Sequence, residues 1–116
     1  MHEVSLVRNI FKTLSDEFPP DVMQQLSVVH LKVGQLSNVE PVLMQNAFQA
    51  VTETEYPTQS VKLEIETLPV LVHCNICDKT SEVKNYRFVC ACERPCGNVV
   101  QGNELLISRV EFQSEP

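Results

Sequence analysis

The chain has 116 residues, 43% of them hydrophobic, and a formal charge of −6. That length bounds it to one domain, or one domain carrying a small module, around a modest core. Nine Lys and Arg against fifteen Asp and Glu form no basic patch, so the chain is expected to bind no nucleic acid. No apolar run approaches the roughly 20 residues of a membrane span.

Met1-His2-Glu3 opens the chain without a basic, apolar leader. With reduced cysteines, this predicts a cytoplasmic protein. From Ser5, apolar residues at Val7, Ile10, Phe11, Leu14 and Phe18 have helical spacing. Ser5 is the expected N-cap, and Pro19-Pro20 stops the helix. Residues 26–34 read as a strand, with Val29, Leu31 and Val33 facing one way and Val28, His30 and Lys32 the other. A lone strand histidine of this kind is expected to be structural. Residues 34–38 form a turn.

A second helix follows Glu40, with Pro41 at its first position. The residue before a proline is pushed out of the helical region, so Glu40 is the N-cap, its carboxylate against the positive helix end. This helix is predicted to bury Leu43, Met44, Ala47, Phe48 and Val51 and to end at Tyr56-Pro57. Residues 60–68 alternate Val61, Leu63 and Ile65 against Lys62, Glu64 and Glu66, a half-exposed strand. Pro69 closes it, and Val70-Leu71-Val72 leads into His73 and the cysteines. Residues 98–103 read as a turn. Residues 104–112 read as a third strand, with Leu106, Val110 and Phe112 on one face. The expected class is α+β, two helices packed on a small three-stranded sheet with an inserted zinc-ribbon module. The domains are then 1–72 plus 99–116, and 73–98.

All five cysteines lie between Cys74 and Cys96. Cys74-Asn-Ile-Cys77 is a CxxC knuckle, whose spacing lets two thiolates converge on one ion. A second cysteine group a dozen residues later is the spacing of a structural zinc ribbon. An odd count within one short stretch argues against a disulfide framework. The second group is irregular: Cys90 with Cys92, Cys92 with Cys96, or Cys90 with Cys96 could complete the site, and one cysteine is spare. Five available thiolates favour a closed site over a catalytic zinc with an open position. A redox role for CxxC is disfavoured because no helical pattern follows Cys74. A zinc-ribbon interaction module without further metal chemistry remains the alternative function.

The amino terminus has its own metal chemistry. The free amine of Met1, the backbone nitrogen of His2 and the His2 imidazole can close fused chelate rings on one ion. The backbone nitrogen of Glu3, or an external donor, completes a square plane, a geometry that suits Ni(II) and Cu(II). Histidine is bulky, so the initiator methionine before it should be retained.

Met1-His2-Glu3, Leu31-Lys-Val-Gly-Gln-Leu-Ser37, the CxxC at Cys74 and Gly102-Asn-Glu-Leu-Leu-Ile107 come in this order over nearly the whole chain. Together they resemble the HypA/HybF family of nickel metallochaperones. The resemblance implies a non-catalytic carrier with structural Zn2+ and transported Ni2+. Nickel would sit at Met1, His2 and Glu3, with His2 the essential ligand. It implies delivery to the large subunit of [NiFe] hydrogenase together with the GTPase HypB; some members also serve urease. Glu40 matches an acidic position near the family's nickel site. The second knuckle departs from the family's CxxC. Counting ten residues back from Gly102 reaches Cys92, the family's last zinc cysteine, and Cys90 follows Phe88-Val89 as the third often follows an aromatic. The family pattern therefore favours Cys74, Cys77, Cys90 and Cys92, with Cys96 the alternative fourth ligand. His73, beside Cys74, is a candidate link from the zinc site to the nickel domain.

Overall fold

A computed structural model of the chain describes residues 2–57 and 59–113, apart from the side chain of His2. In chain order the elements are α1 (His2–Glu17), α2 (Pro20–Met23), β1 (Leu26–Gly34), α3 (Pro41–Glu55), β2 (Lys62–Leu68), β3 (Leu71–Cys74), β4 (Lys79–Glu82), β5 (Val99–Gln101) and β6 (Leu105–Phe112). The strands form two three-stranded sheets, ordered β2-β1-β6 and β4-β3-β5. The mixed α+β class with two long helices is as expected. No helix among the described residues is long and apolar enough to cross a membrane.

The chain divides into two compact units. The first comprises Met1–Leu31, Val39–Ile65 and Ile107–Pro116; the second comprises Lys32–Asn38 and Glu66–Leu106. Residues 73–98 lie inside the second.

The first unit packs α1 and α3 together. Val7, Ile10, Phe11 and Leu14 recur at helical spacing and are all buried, as a one-sided apolar stripe demands. Phe11 stacks on Phe48 of α3 at 5.4 Å and on Tyr56 at 4.5 Å. Phe18 meets Phe112 edge-on at 5.0 Å. From β1, Val29 and Leu31 are buried while His30 is half-buried, the alternation its residues predict.

One boundary differs from the sequence expectation. α1 begins at His2, not after Ser5, so Ser5 is an exposed residue within the helix. α1 ends at Glu17, before Pro19-Pro20, as expected; Pro20 then opens the single turn of α2 from an extended Pro19 at φ −68 and ψ 161, where its missing N–H costs nothing. The start of α3 is as expected. Glu40 is extended at φ −87 and ψ 118 before Pro41, but its side chain makes no capping bond. Leu43 is not buried; it is 50% exposed. It lies outside the stripe formed by Met44, Ala47, Phe48 and Val51.

β6 is buried unevenly along its length. Leu105 and Ile107 are half-buried and Leu106 is exposed, whereas Val110 and Phe112 are half-buried further on. Ser108 and Arg109 are both exposed, so the burial alternation is interrupted there. Leu106 is exposed where Val110 and Phe112 are half-buried.

In the second unit, residues 98–103 contain β5 where a plain turn was expected. β3 pairs antiparallel with β4, Leu71 opposite Glu82 and Cys74 opposite Lys79, and antiparallel with β5 on its other side. The unit's core is small: Val70, Val72, Val83, Cys74, Cys90 and Cys96. Gly34 is obligatory here, because a Cβ on it would lie 2.0 Å from the Gly102 carbonyl oxygen. That close approach lets the Leu36 N–H donate to the same oxygen at 2.7 Å and the Gly34 N–H donate to the Glu104 carbonyl at 2.7 Å.

Candidate metal centre

Two hairpins build the site. In the first, β3 ends at Cys74, opposite Lys79 at the start of β4. Residues 75–78 must reverse the chain in that short span. Asp78 does so at φ 55, a left-handed conformation that aspartate tolerates. This turn brings Cys77 back beside Cys74. In the second, Val89 bridges Pro95, and the loop closes by Cys90 N–H to Arg94 C=O at 2.9 Å and Glu93 N–H to Cys90 C=O at 2.8 Å. The Ala91 N–H donates to the Ser81 hydroxyl oxygen of β4 at 3.2 Å, tying the two hairpins together.

The sulfurs of Cys74, Cys77, Cys90 and Cys92 all lie within 4.8 Å of one another. Cys74 and Cys92 are 3.9 Å apart, and Cys77 and Cys90 are 3.1 Å apart. Zn–S bonds of about 2.3 Å arranged tetrahedrally require sulfurs about 3.8 Å apart. The cluster therefore fits one zinc with only small adjustments. Cys96 is outside it. Its N–H donates to the Phe88 carbonyl at 2.8 Å, and its thiol donates to the His73 carbonyl at 3.1 Å. It is a buried core thiol with a local hydrogen-bond partner.

The electrostatics of the cluster favour a cation. The backbone N–H of Cys92 donates to the Cys90 sulfur at 3.4 Å. This bond, with the neighbouring Cys77 thiol, lowers Cys90 to about 6. Cys74 is also lowered, first by the backbone N–H of Cys77. Cys77 is pushed up to about 12, chiefly by its hydrogen bond with Cys90, and Cys92 is raised by the same neighbour. Four sulfurs this close cannot all ionise alone. A divalent cation would displace the retained protons, so binding here releases protons.

His73 does not use its ring for the cluster. Nε2 lies 3.0 Å from an Asp78 carboxylate oxygen and Nδ1 lies 3.1 Å from the Thr80 hydroxyl. Both contacts span the first knuckle and brace it. Sequence spacing showed His73 next to Cys74 but not this brace, because it depends on the β3–β4 register. His30 is likewise committed to its own sheet, to Glu111 at 2.5 Å and Glu64 at 3.2 Å. Of the proposed nickel residues, Met1 and the His2 side chain lie outside the described residues. Glu3 is half-buried in the first turn of α1, and Glu40 is exposed.

The family profile described as "Hydrogenase/urease nickel incorporation, metallochaperone, hypA" matches residues 1–112. The chain belongs to the HypA family. It is similar to a "Hydrogenase maturation factor HypA" of Chloroflexus aurantiacus, 35% identical over 113 residues, 96% of this chain and 98% of the relative. It is also similar to a "Guanidine hydrolase-activating protein A" of Synechocystis, 32% identical over 114 residues, 96% of this chain and 94% of the relative. Its fold matches the solution structure of the Ni metallochaperone HypA from Helicobacter pylori with a TM-score of 0.64 at 21% identity, covering 97% of this chain and 98% of the other. HypA family members are nickel metallochaperones of hydrogenase maturation, and the four-cysteine cluster of this chain is consistent with zinc.

Proposed function

We propose that this chain carries Ni(II) at its amino terminus and delivers it to the large subunit of [NiFe] hydrogenase, working with the GTPase HypB in the cytoplasm. It acts as a carrier and not as an enzyme. The observation that carries the reading is the family match, which begins at residue 1 and so includes Met1-His2-Glu3. Residues 1–72 plus 99–116 handle nickel, and residues 73–98 form the ribbon.

The start of α1 supports the site. The first N–H groups of a helix have no intrahelical acceptor. With α1 beginning at His2, the backbone nitrogen of Glu3 is free of helical hydrogen bonding and available as a donor to nickel. The Met1 amine and the His2 imidazole supply the other donors, and both must shed a proton first. Zinc, held by Cys74, Cys77, Cys90 and Cys92, cross-links the ribbon and closes its coordination sphere to substrates.

A second target is supported by the Synechocystis relative, whose name assigns it to activation of a guanidine hydrolase. In that reading the same nickel site serves a hydrolase in place of a hydrogenase; urease is a further candidate through the family description.

Nickel titration of untagged protein tests the site. One Ni(II) per chain should bind, weakening as pH falls through about 6.5, where imidazole protonates. His2→Ala, or one extra residue at the amino terminus, should abolish binding and leave zinc in place. Wild-type nickel affinity in His2→Ala would place nickel elsewhere.

A further inference from the structure

One costly backbone position in the second unit has no part in the metal centre. Lys84 bridges Arg87 across a two-residue turn, Asn85-Tyr86. Both turn residues have positive φ, 55 and 58, as in a type I′ hairpin. The second of these positions is where glycine is strongly preferred. Of the other left-handed non-glycine residues, Asn38, Asp78 and Asn85 are of the types that tolerate it, and Glu93, at φ 67, closes the Cys90 loop of the metal centre. Tyr86 is not, and its side chain earns no packing in return, since it is 86% exposed. A strained, exposed aromatic at a hairpin tip contributes nothing to the fold that glycine would not do better. Its value must lie in a contact made outside the chain.

The flanking charges indicate what it meets. Lys84 and Arg87 are exposed on either side of Tyr86, and among the described residues neither takes part in an ion pair. Within a chain of net charge −6, the tip Lys84-Asn-Tyr-Arg87 is locally cationic. Two cations are too few to track a nucleic-acid backbone but enough to orient one aromatic anchor against carboxylates.

We propose that this hairpin tip is a docking anchor, with Tyr86 entering an apolar slot on a partner protein and Lys84 and Arg87 meeting carboxylates at the slot's rim. Tyrosine and arginine are the residues that most often dominate such contacts. The choice of probe proteins rests on the functional reading above.

The test uses the full-length, zinc-loaded protein with two purified probes, the hydrogenase large-subunit precursor and the GTPase HypB. Tyr86→Gly relieves the strained position, so the variant should melt at or above the wild-type temperature. Its affinity for one of the two probes should nevertheless fall at least about tenfold, the loss expected of a buried anchor. Lys84→Gln with Arg87→Gln should weaken the same complex and flatten its salt dependence. Equal binding by wild type and Tyr86→Gly overturns the docking anchor while leaving nickel delivery intact. A Tyr86→Gly variant that melts lower overturns it too, since Tyr86 would then serve the fold. Binding of a single-stranded RNA 20-mer that Tyr86→Gly abolishes, with both protein probes unaffected, replaces the protein partner with nucleic acid and overturns the proposal. Failure of wild type to bind either probe overturns the functional reading, and the anchor with it.

Discussion

The two units solve the same problem with different materials. The first buries large apolar side chains from two helices and a sheet, with Met44 and Val29 fully shielded from solvent. The second packs a cluster of three valines and three cysteines and buries Val33 besides. Burying a Leu- or Met-sized side chain gains about 1.5–3 kcal/mol, and the second unit buries none fully. A unit of this size cannot hold itself on such a core and needs a staple. The difference teaches that the cysteine cluster is the second unit's substitute for hydrophobic volume, while the first unit stands without it.

The largest test removes the staple. Zinc chelation, or Cys74→Ala, should unfold the second unit, because structural zinc in comparable peptides supplies about 10 kcal/mol or more. Helical circular dichroism from α1 and α3 should persist. Loss of the helical signal together with the ribbon would erase the contrast. Within the same experiment, Cys92→Ser should release zinc and Cys96→Ser should keep it, since only Cys92 places its sulfur in the cluster.

The reciprocal test cuts the apolar core. Phe48 is 3% exposed and stacks on Phe11, so Phe48→Ala should cost about 3–5 kcal/mol in denaturant unfolding. Metal analysis should still find zinc at the wild-type ratio. A variant that loses zinc would mean the units do not stand separately.

Gly34→Ala probes the second unit without touching a cysteine. Its new Cβ would fall 2.0 Å from the Gly102 carbonyl oxygen, so the backbone must shift, at a cost of about 2 kcal/mol. Hydrogen exchange should rise around residues 32–38 and 102–104 and stay unchanged in α1.

The smallest effect is a pH slope in the first unit. The hydrogen bond from His30, followed by the charge of Arg109, holds Glu111 below its ordinary value of 4.5. A carboxylate lowered in the folded state stabilises above its unfolded pKa. That contribution is lost as pH falls below 4.5 through the folded value. Glu111→Gln should therefore flatten the acid limb of the first unit's stability. An unchanged acid limb would show that this surface contact contributes nothing.

Much of the first unit was legible because its residues obey one periodicity at a time. β1 carries a clean alternation from Val28 to Val33, and Pro41 marks the start of α3 unambiguously. Ser5 misled because a good capping residue also tolerates an exposed helical position. Leu43 misled because apolar type alone does not decide which helix face a residue occupies. β4 was invisible: Lys79-Thr-Ser-Glu82 is polar on both faces, and its strand character comes wholly from pairing with β3. Spacing located the metal centre to one short stretch but left its fourth ligand open. Cys92 and Cys96 are separated only in three dimensions, by the Val89–Pro95 bridge that turns Cys96 back under His73.

The order of strands also sets a timetable for the chain as it is made. β6 pairs with β1, and the bonds joining them, such as Ser27 to the Glu111 carbonyl, span 84 residues. The first sheet cannot close until β6, Leu105–Phe112, has been made. The close sulfur pairs Cys74–Cys92 and Cys77–Cys90 join residues 18 and 13 apart and can assemble as soon as they emerge. Sequence-distant pairing of this kind folds slowly. During synthesis β1 waits longest for its second neighbour, and that interval is when a holding chaperone would have most to do.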